Sequence, residues 1–403
     1  MSAVAPPDRS VASTDEASPS ARPAKSTAGV TIQRSHLADA LAAIGPTVAT
    51  KVALPVLSAI RIAAEERGVR LTATNLDQVV SCFCPADHAC AGTAFLVPAK
   101  RLAEIVAALP DGPVRLVPSG QSVKVAAGHA TFRLNTLSAS EFPSNAAFDP
   151  KATLVIAAGE LVRLAEQVRF AASTEESRPI LNGVLLEMGA AALRAVATNG
   201  HRLALVEAPR TDSAHDALAD LIVPPVALES LKRVFAAEEL VTLAVDSEKA
   251  PTSLRVFSDR ASVATRLIEG PYPGYRQVIP SANDRLVRAD RNDLLAALRR
   301  VLPLATNATA RVRIALAGAR LVLRVETPDA GSAEDEVPIQ YPDGSNFTFA
   351  VNGHYLKEIL AHLPPGELSW SFSAPERASL LMPEPLPAGS TAQQFVLMPV
   401  RLE

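Results

Sequence analysis

Apolar residues recur at helical spacing in three short runs: HLADALAAI around Leu37, ELVRLAEQVRF around Leu161 and DLLAALRRVL around Leu294. Each gathers its apolar side chains on one stripe, the pattern of an amphipathic helix. A second helical type also appears three times. It reads LVPAKRLAEIVAALP from Leu96, IVPPVALESLKRVF from Ile222 and FAVNGHYLKEILAHLP from Phe349. Leu102, Leu228 and Leu356 hold one register in it, 126 and 128 residues apart. That period is far longer than a solenoid repeat, so it marks repeated domains.

Strand-like runs lie between the helices. VRLTATNLDQVVSCF from Val69 is similar to LRAVATNGHRLALVE from Leu193, and TFRLNTLSASEFPS from Thr131 is similar to SVATRLIEGPYPGY from Ser262. Each member of the second pair runs into an aromatic–proline turn, Phe142–Pro143 or Tyr272–Pro273. Each unit therefore holds two helices packed on antiparallel sheet, and the fold class is α+β. The expected domains are 30–149, 150–282 and 283–403. Residues 1–29 are rich in Ala, Ser and Pro and lack aromatics. They are expected to be a disordered tail without a specific role, a docking arm being the alternative.

Composition narrows the function. No apolar run reaches the roughly 18–20 residues that span a bilayer, and MSAVAPPDRS lacks the apolar core of a secretory signal. The expectation is a soluble cytoplasmic protein that does not bind membranes. Three cysteines, Cys82, Cys84 and Cys90, sit in one stretch. They have no second pair to complete a zinc site and read as reduced thiols, with no metal and no cofactor expected. A net charge of −3 argues against a protein that grips DNA by broad phosphate neutralisation.

Candidate chemistry is sparse. The chain has no phosphate-binding loop, no G-x-S-x-G elbow and no H-E-x-x-H helix. His201 beside Arg202 could act on an anionic substrate, but Asn199–Gly200 before an apolar strand is also an ordinary turn signal. Basic residues fall on the recurrent helices: Lys100, Arg101, Arg163, Arg169, Lys232, Arg233, Arg299, Arg300 and Lys357. They are either solvated helix faces or, if equivalent helices converge, one concave positive surface.

An ordered set of motifs resembles the bacterial DNA sliding clamps, the beta subunit family of DNA polymerase III. In the first third these are LPVLSAIRI, LTATNLD, VPAKRL and SEFPS. In the second they are SRPILNGVLLE, VATNGHRLAL and EGPYPGYRQVIP, and the chain ends FVLMPVRLE. The resemblance runs from about residue 30 to the end. It implies three clamp domains per chain and a six-domain ring formed by a head-to-tail homodimer around double-stranded DNA, with no enzymatic activity. It also implies partners: the polymerase alpha subunit, the clamp loader, and other polymerases and repair factors bound through short linear motifs.

By the same resemblance the client-peptide pocket comprises Leu181, Thr198, Gly200, His201, Arg202, Leu203, Pro273, Val278, Asn352, Tyr355, Val396, Met398, Pro399, Val400, Arg401 and Leu402. The alternative for Met398–Leu402 is a plain edge strand. DNA contact is expected at Lys51, Lys100, Arg101 and Arg178, and ring closure at Phe132 and Leu134 against Leu302 and Leu304. Three departures stand out. Gln277 occupies a place where family members often carry Arg, Glu403 extends the usual end, and Pro303 interrupts the helix at Leu294–Ala305. They leave open whether the chain is a housekeeping clamp or a specialised copy, for example one conferring antibiotic resistance.

Overall fold

The computed structural model describes residues 29–49, 54–143, 148–210, 218–237, 239–306 and 310–402. The expected tail lies outside them except for Gly29, which is buried and whose carbonyl accepts from the Cys90 amide at 3.2 Å.

The six helical runs become α1 (Arg34–Ile44), α2 (Ala99–Ala108), α3 (Ala158–Glu166), α4 (Pro225–Val234), α5 (Arg291–Val301) and α6 (Gly353–His362). Each buries the stripe its sequence announces: Leu37, Ala40, Leu41 and Ile44 in α1, and Leu356, Ile359 and Leu360 in α6. Side chains cap two of them. Asp290 accepts from the first-turn amides of α5 and Asn352 from those of α6, satisfying donors that helix starts leave orphaned. Within each third the two helices pack together, and α1 also packs against α4.

Helix α5 is shorter than the run Leu294–Ala305. It ends at Val301, and Leu302–Leu304 form a single 3-10 turn with Pro303 inside it. Proline has no amide to continue the ladder, so the α-helix stops there instead of kinking.

The strands of the described residues form four antiparallel sheets. Two of them, each of eight strands, are shared between neighbouring thirds. Strand Ala261–Arg266 pairs with Gln78–Pro85, placing Thr265 opposite Gln78. Strand Ala392–Leu397 pairs with Arg202–Pro209, placing Leu397 opposite Arg202. The domains are therefore joined by backbone hydrogen bonds, not by linkers alone. Smaller sheets close the two ends, and each exposes an edge. Among the described residues, strand Ala130–Asn135 bonds only to Ser122–Ala127, and strand Gly331–Pro338 only to Arg320–Thr327.

Cys82 and Cys84 alternate inward on strand Gln78–Pro85 and are buried, whereas Cys90 is half-buried. Burial pushes the Cys82 thiol up to about 11 against the opposing pull of Arg70 and Arg260. It pushes the Cys84 thiol up to about 12. The thiolate is the reactive form, so at pH 8 the folded protein should show one fast-reacting thiol toward an aromatic disulfide reagent. That thiol should be lost in Cys90→Ser. Three fast thiols in the native state would contradict the burial.

Candidate functional site

The segment Thr198–Leu203 sits at the seam between the second and third domains, and its own chemistry shapes it. Thr198 Oγ1 donates to the Arg202 carbonyl at 2.6 Å and accepts from the Gly200 amide at 3.1 Å. Asn199 Oδ1 accepts from the His201 and Arg202 amides at 2.9 and 3.0 Å. Gly200 closes this turn at φ +87°, a left-handed conformation that glycine adopts without steric cost.

Two further segments are pinned to it. From one side, the Thr198 amide donates to the Tyr272 hydroxyl at 3.2 Å, which brings up the turn carrying Pro273 and Val278. From the other, the Met398 amide donates to the His201 carbonyl at 2.9 Å. The chain end then crosses to the third domain, where Pro399 bridges Val351 and the Val400 amide donates to Ala350 at 2.8 Å. Leu203 and Val396 are buried beneath, while Val278, Met398 and Leu402 remain 53%, 38% and 44% exposed. Exposed apolar side chains therefore stand on the two segments pinned to this turn.

The turn bearing Val278 is held by a charged network. Arg194 binds Glu187 and Glu207, Arg276 binds Glu187 at 2.7 Å, and the Tyr275 hydroxyl donates to Glu187 at 2.9 Å. Burial, then the Glu187 bond, raises the Tyr275 phenol to about 12, and burial raises that of Tyr272 further. Burial works against ionisation of Glu207, but hydrogen bonds from Thr391 and Arg194 hold its carboxyl below the usual range. Both phenols thus stay neutral donors or acceptors across the physiological range. Gln277, in the same turn, supplies no charge.

Arg202 is 7% exposed. Its guanidinium binds Glu358 of α6 and the Phe170 carbonyl, and lies over the Phe170 and Tyr355 rings at 5.1 and 4.6 Å. It locks the second domain to the third through its two terminal nitrogens, while its Nε is buried without a partner among the described residues, so the guanidinium presents no open face to an anionic substrate. His201 is exposed and its ring lies 6.3 Å from that of Tyr355. Asn352 is occupied as the cap of α6.

The structure thus gathers most of the expected pocket residues at one seam, with Leu181 buried nearby and Arg401 exposed on the chain end. Phe170, Tyr272 and Glu358 belong to the same assembly and were not anticipated. Their side chains come from distant segments, and only the Tyr-Pro turn carried a local signal.

The structure places the expected DNA-contacting residues on different elements. Lys51 lies outside the described residues. Lys100 and Arg101 are exposed on α2, where Arg101 pairs with Glu104 at 3.0 Å. Arg178 caps a 3-10 turn, and its guanidinium lies 3.4 Å from where a Gly200 side chain would begin. That puts it beside the Thr198–Leu203 turn and off the helix faces. Carboxylates pair with several of the basic residues on the recurrent helices. Arg169 binds Glu166 and Glu229 at 2.7 and 2.5 Å, Lys232 binds Glu166 at 3.0 Å, and Arg300 binds Asp335. Arg163 reaches Ser390 and Gly389 of the third domain at 3.2 Å, a contact across the seam.

At the chain's ends, Phe132 is 36% exposed on the open edge strand and Leu134 is half-buried. Leu302 is 8% exposed and packs under Gly353, where even a methyl group would collide with it at 2.6 Å. Leu302 therefore belongs to the core. Leu304, half-buried, is the leucine left near the surface.

Three family models match in sequence order: the N-terminal, central and C-terminal domains of the DNA polymerase III beta subunit, over residues 29–146, 155–274 and 276–401. The chain belongs to the DNA polymerase III beta subunit family. A beta sliding clamp of Caulobacter vibrioides is 33% identical over 383 residues, covering 93% of this chain and all of the relative. The Pseudomonas aeruginosa clamp is 29% identical over 373 residues. Among solved structures, a P. aeruginosa sliding clamp bound to griselimycin superposes with TM-score 0.85 at 28% identity, covering 93% of this chain and 99% of that one. The Caulobacter crescentus polymerase III beta structure gives 0.82 at 31% identity, covering 93% and 100%. The protein is a DNA sliding clamp of three domains, and it acts as a processivity factor in DNA replication.

Proposed function

We propose that two copies of this clamp join head to tail into a six-domain ring in the cytoplasm, encircle duplex DNA and hold clients at the seam between the second and third domains. The observation that carries the reading is one domain repeated three times, matched in order across the folded chain, with an open sheet edge at each end. Open edges invite pairing with another chain. An end-to-end contact that closes by rotation gives a ring and not a filament. The clamp then acts by binding, without chemistry of its own. Its clients are the polymerase alpha subunit, the clamp loader, and other polymerases and repair factors.

In this reading Val278, Met398 and Leu402 form the apolar walls of the client groove over Leu203 and Val396. Arg178, His201 and Tyr355 give it polar edges. Arg202 positions the seam from beneath. Lys100 and Arg101 face the DNA, where they need only keep the ring's lining from repelling phosphate.

Deletion of residues 398–403 tests the groove. It spares strand Ala392–Leu397, which joins the domains. Anchors in an apolar groove dominate such interfaces at about 2 kcal/mol or more each. A Gln-Leu-type client peptide should therefore lose binding by about a hundredfold or more, since 1.4 kcal/mol is tenfold. The dimer should remain. Unchanged peptide affinity in the truncated protein would put the groove elsewhere.

A further inference from the structure

The internal repeat has a consequence at the other seam, between the first and second domains. A cavity of about 310 Å³ opens there, lined by Thr74, Leu76, Val79, Pro143, Phe148 and Arg266 among others. Several hydrogen bonds of the seam already described recur there. Thr74 Oγ1 donates to the Gln78 carbonyl at 2.9 Å and accepts from the Leu76 amide at 3.1 Å, as Thr198 does with Arg202 and Gly200. Asn75 Oδ1 accepts from the Gln78 amide at 2.8 Å, as Asn199 does from Arg202. The Arg266 amide donates to the Asp77 carbonyl at 3.0 Å, as Met398 does to His201. The ladder register agrees. Val79 faces Ala264 where Leu203 faces Val396. Pro143 ends one aromatic–proline turn as Pro273 ends the other.

The differences between the seams define the ligand. Leu76 stands where Gly200 stands and holds φ +79° with its side chain 49% exposed. That conformation is costly for a leucine, and strained residues of this kind concentrate at ligand sites. It sets a large apolar group at the mouth of the cavity. Arg266 replaces Met398, and by strand register Arg255 replaces Leu380. Arg255 lies 5.6 Å from the Phe257 ring, and neither arginine has a carboxylate partner among the described residues. Asp77 is the one acid among the described residues lining the cavity, which also include Arg255 and Arg266, so these carry an excess of positive charge.

We propose that this seam is a second peptide-docking site. It takes a short acidic segment of a partner protein, with a bulky apolar side chain in the cavity beside Leu76 and Phe148 and carboxylates on Arg255 and Arg266. Complementary charge at a rim selects the partner and speeds its arrival, and an apolar cavity holds it. The site stands on its own lining and charge, whichever ligand the other seam takes.

The test uses the full chain and a fluorescein-labelled Glu-Asp-Leu-Phe-Glu peptide, with a photoreactive benzoylphenylalanine in place of Phe for mapping. Adducts are expected on fragments containing Leu76, Pro143 or Phe148, whether or not others form at the second seam. Arg266→Glu should weaken binding to the first seam about tenfold. Its melting temperature should stay unchanged, because Arg266 is exposed and has no ion pair among the described residues. A lysine-flanked version of the peptide should not label the first seam. Adducts confined to residues 198–203 and 396–402, or first-seam labelling equal in wild type and Arg266→Glu, would overturn the proposal. Absence of label at the second seam alone would count against the client groove and leave this site standing.

Discussion

Leu304→Glu should turn the dimer into monomers. The 3-10 turn at Leu302–Leu304 directs its two leucines differently. Leu302 fills the core beneath Gly353, so substituting it would loosen the third domain itself. Leu304 is half-buried in the single chain, and its carbonyl accepts from Thr327 Oγ1 at 2.7 Å, which fixes the turn next to the sheet ending in strand Gly331–Pro338. If that open edge meets strand Ala130–Asn135 of a second copy, Leu304 comes under Phe132 or Leu134. An unpaired carboxylate buried there costs several kcal/mol, and the substitution would act twice in each ring. Light scattering should give the mass of one 42.3 kDa chain. Phe132→Glu should do the same from the opposite side. A Leu304→Glu protein that keeps its fold and twice that mass would move the interface elsewhere.

Much of this molecule is legible in the sequence because its helices are amphipathic and its domains repeat. Leu102, Leu228 and Leu356 announce three copies of one unit before any coordinates exist, and all three are buried. The TNGHR turn is legible too, since Thr198, Asn199 and Gly200 shape it through hydrogen bonds a few residues apart. What escapes is whatever depends on distant segments meeting. That Arg202 would be held by Glu358 and Phe170 requires knowing that strand Ala392–Leu397 completes the sheet of the second domain. The position of Arg178 escapes for the same reason: its guanidinium comes up against Gly200, which lies well along the chain from it. The end of α5 is legible in Pro303, which has no amide to continue the helix. The neutralised helix charges could not be counted at all, because Arg169, Lys232 and Arg300 find acids on other elements.

Those charges bear on how the clamp holds DNA. The chain is acidic overall, at −3. Of the basic residues expected on the helices, Lys100, Arg299 and Lys357 are exposed without a carboxylate partner among the described residues. A protein relying on six or more phosphate contacts would lose about a thousandfold or more in affinity between 50 and 200 mM salt. A closed ring has no such dependence, because it leaves only by opening or by sliding off an end. The decisive measurement is retention on DNA of defined topology. Clamp loaded by its loader onto nicked circular DNA should stay bound through a high-salt wash and be lost quickly once the circle is cut at one site. The same protein should bind linear duplex weakly without a loader. Equal retention on circular and linear DNA would contradict encirclement and require a basic binding surface in its place.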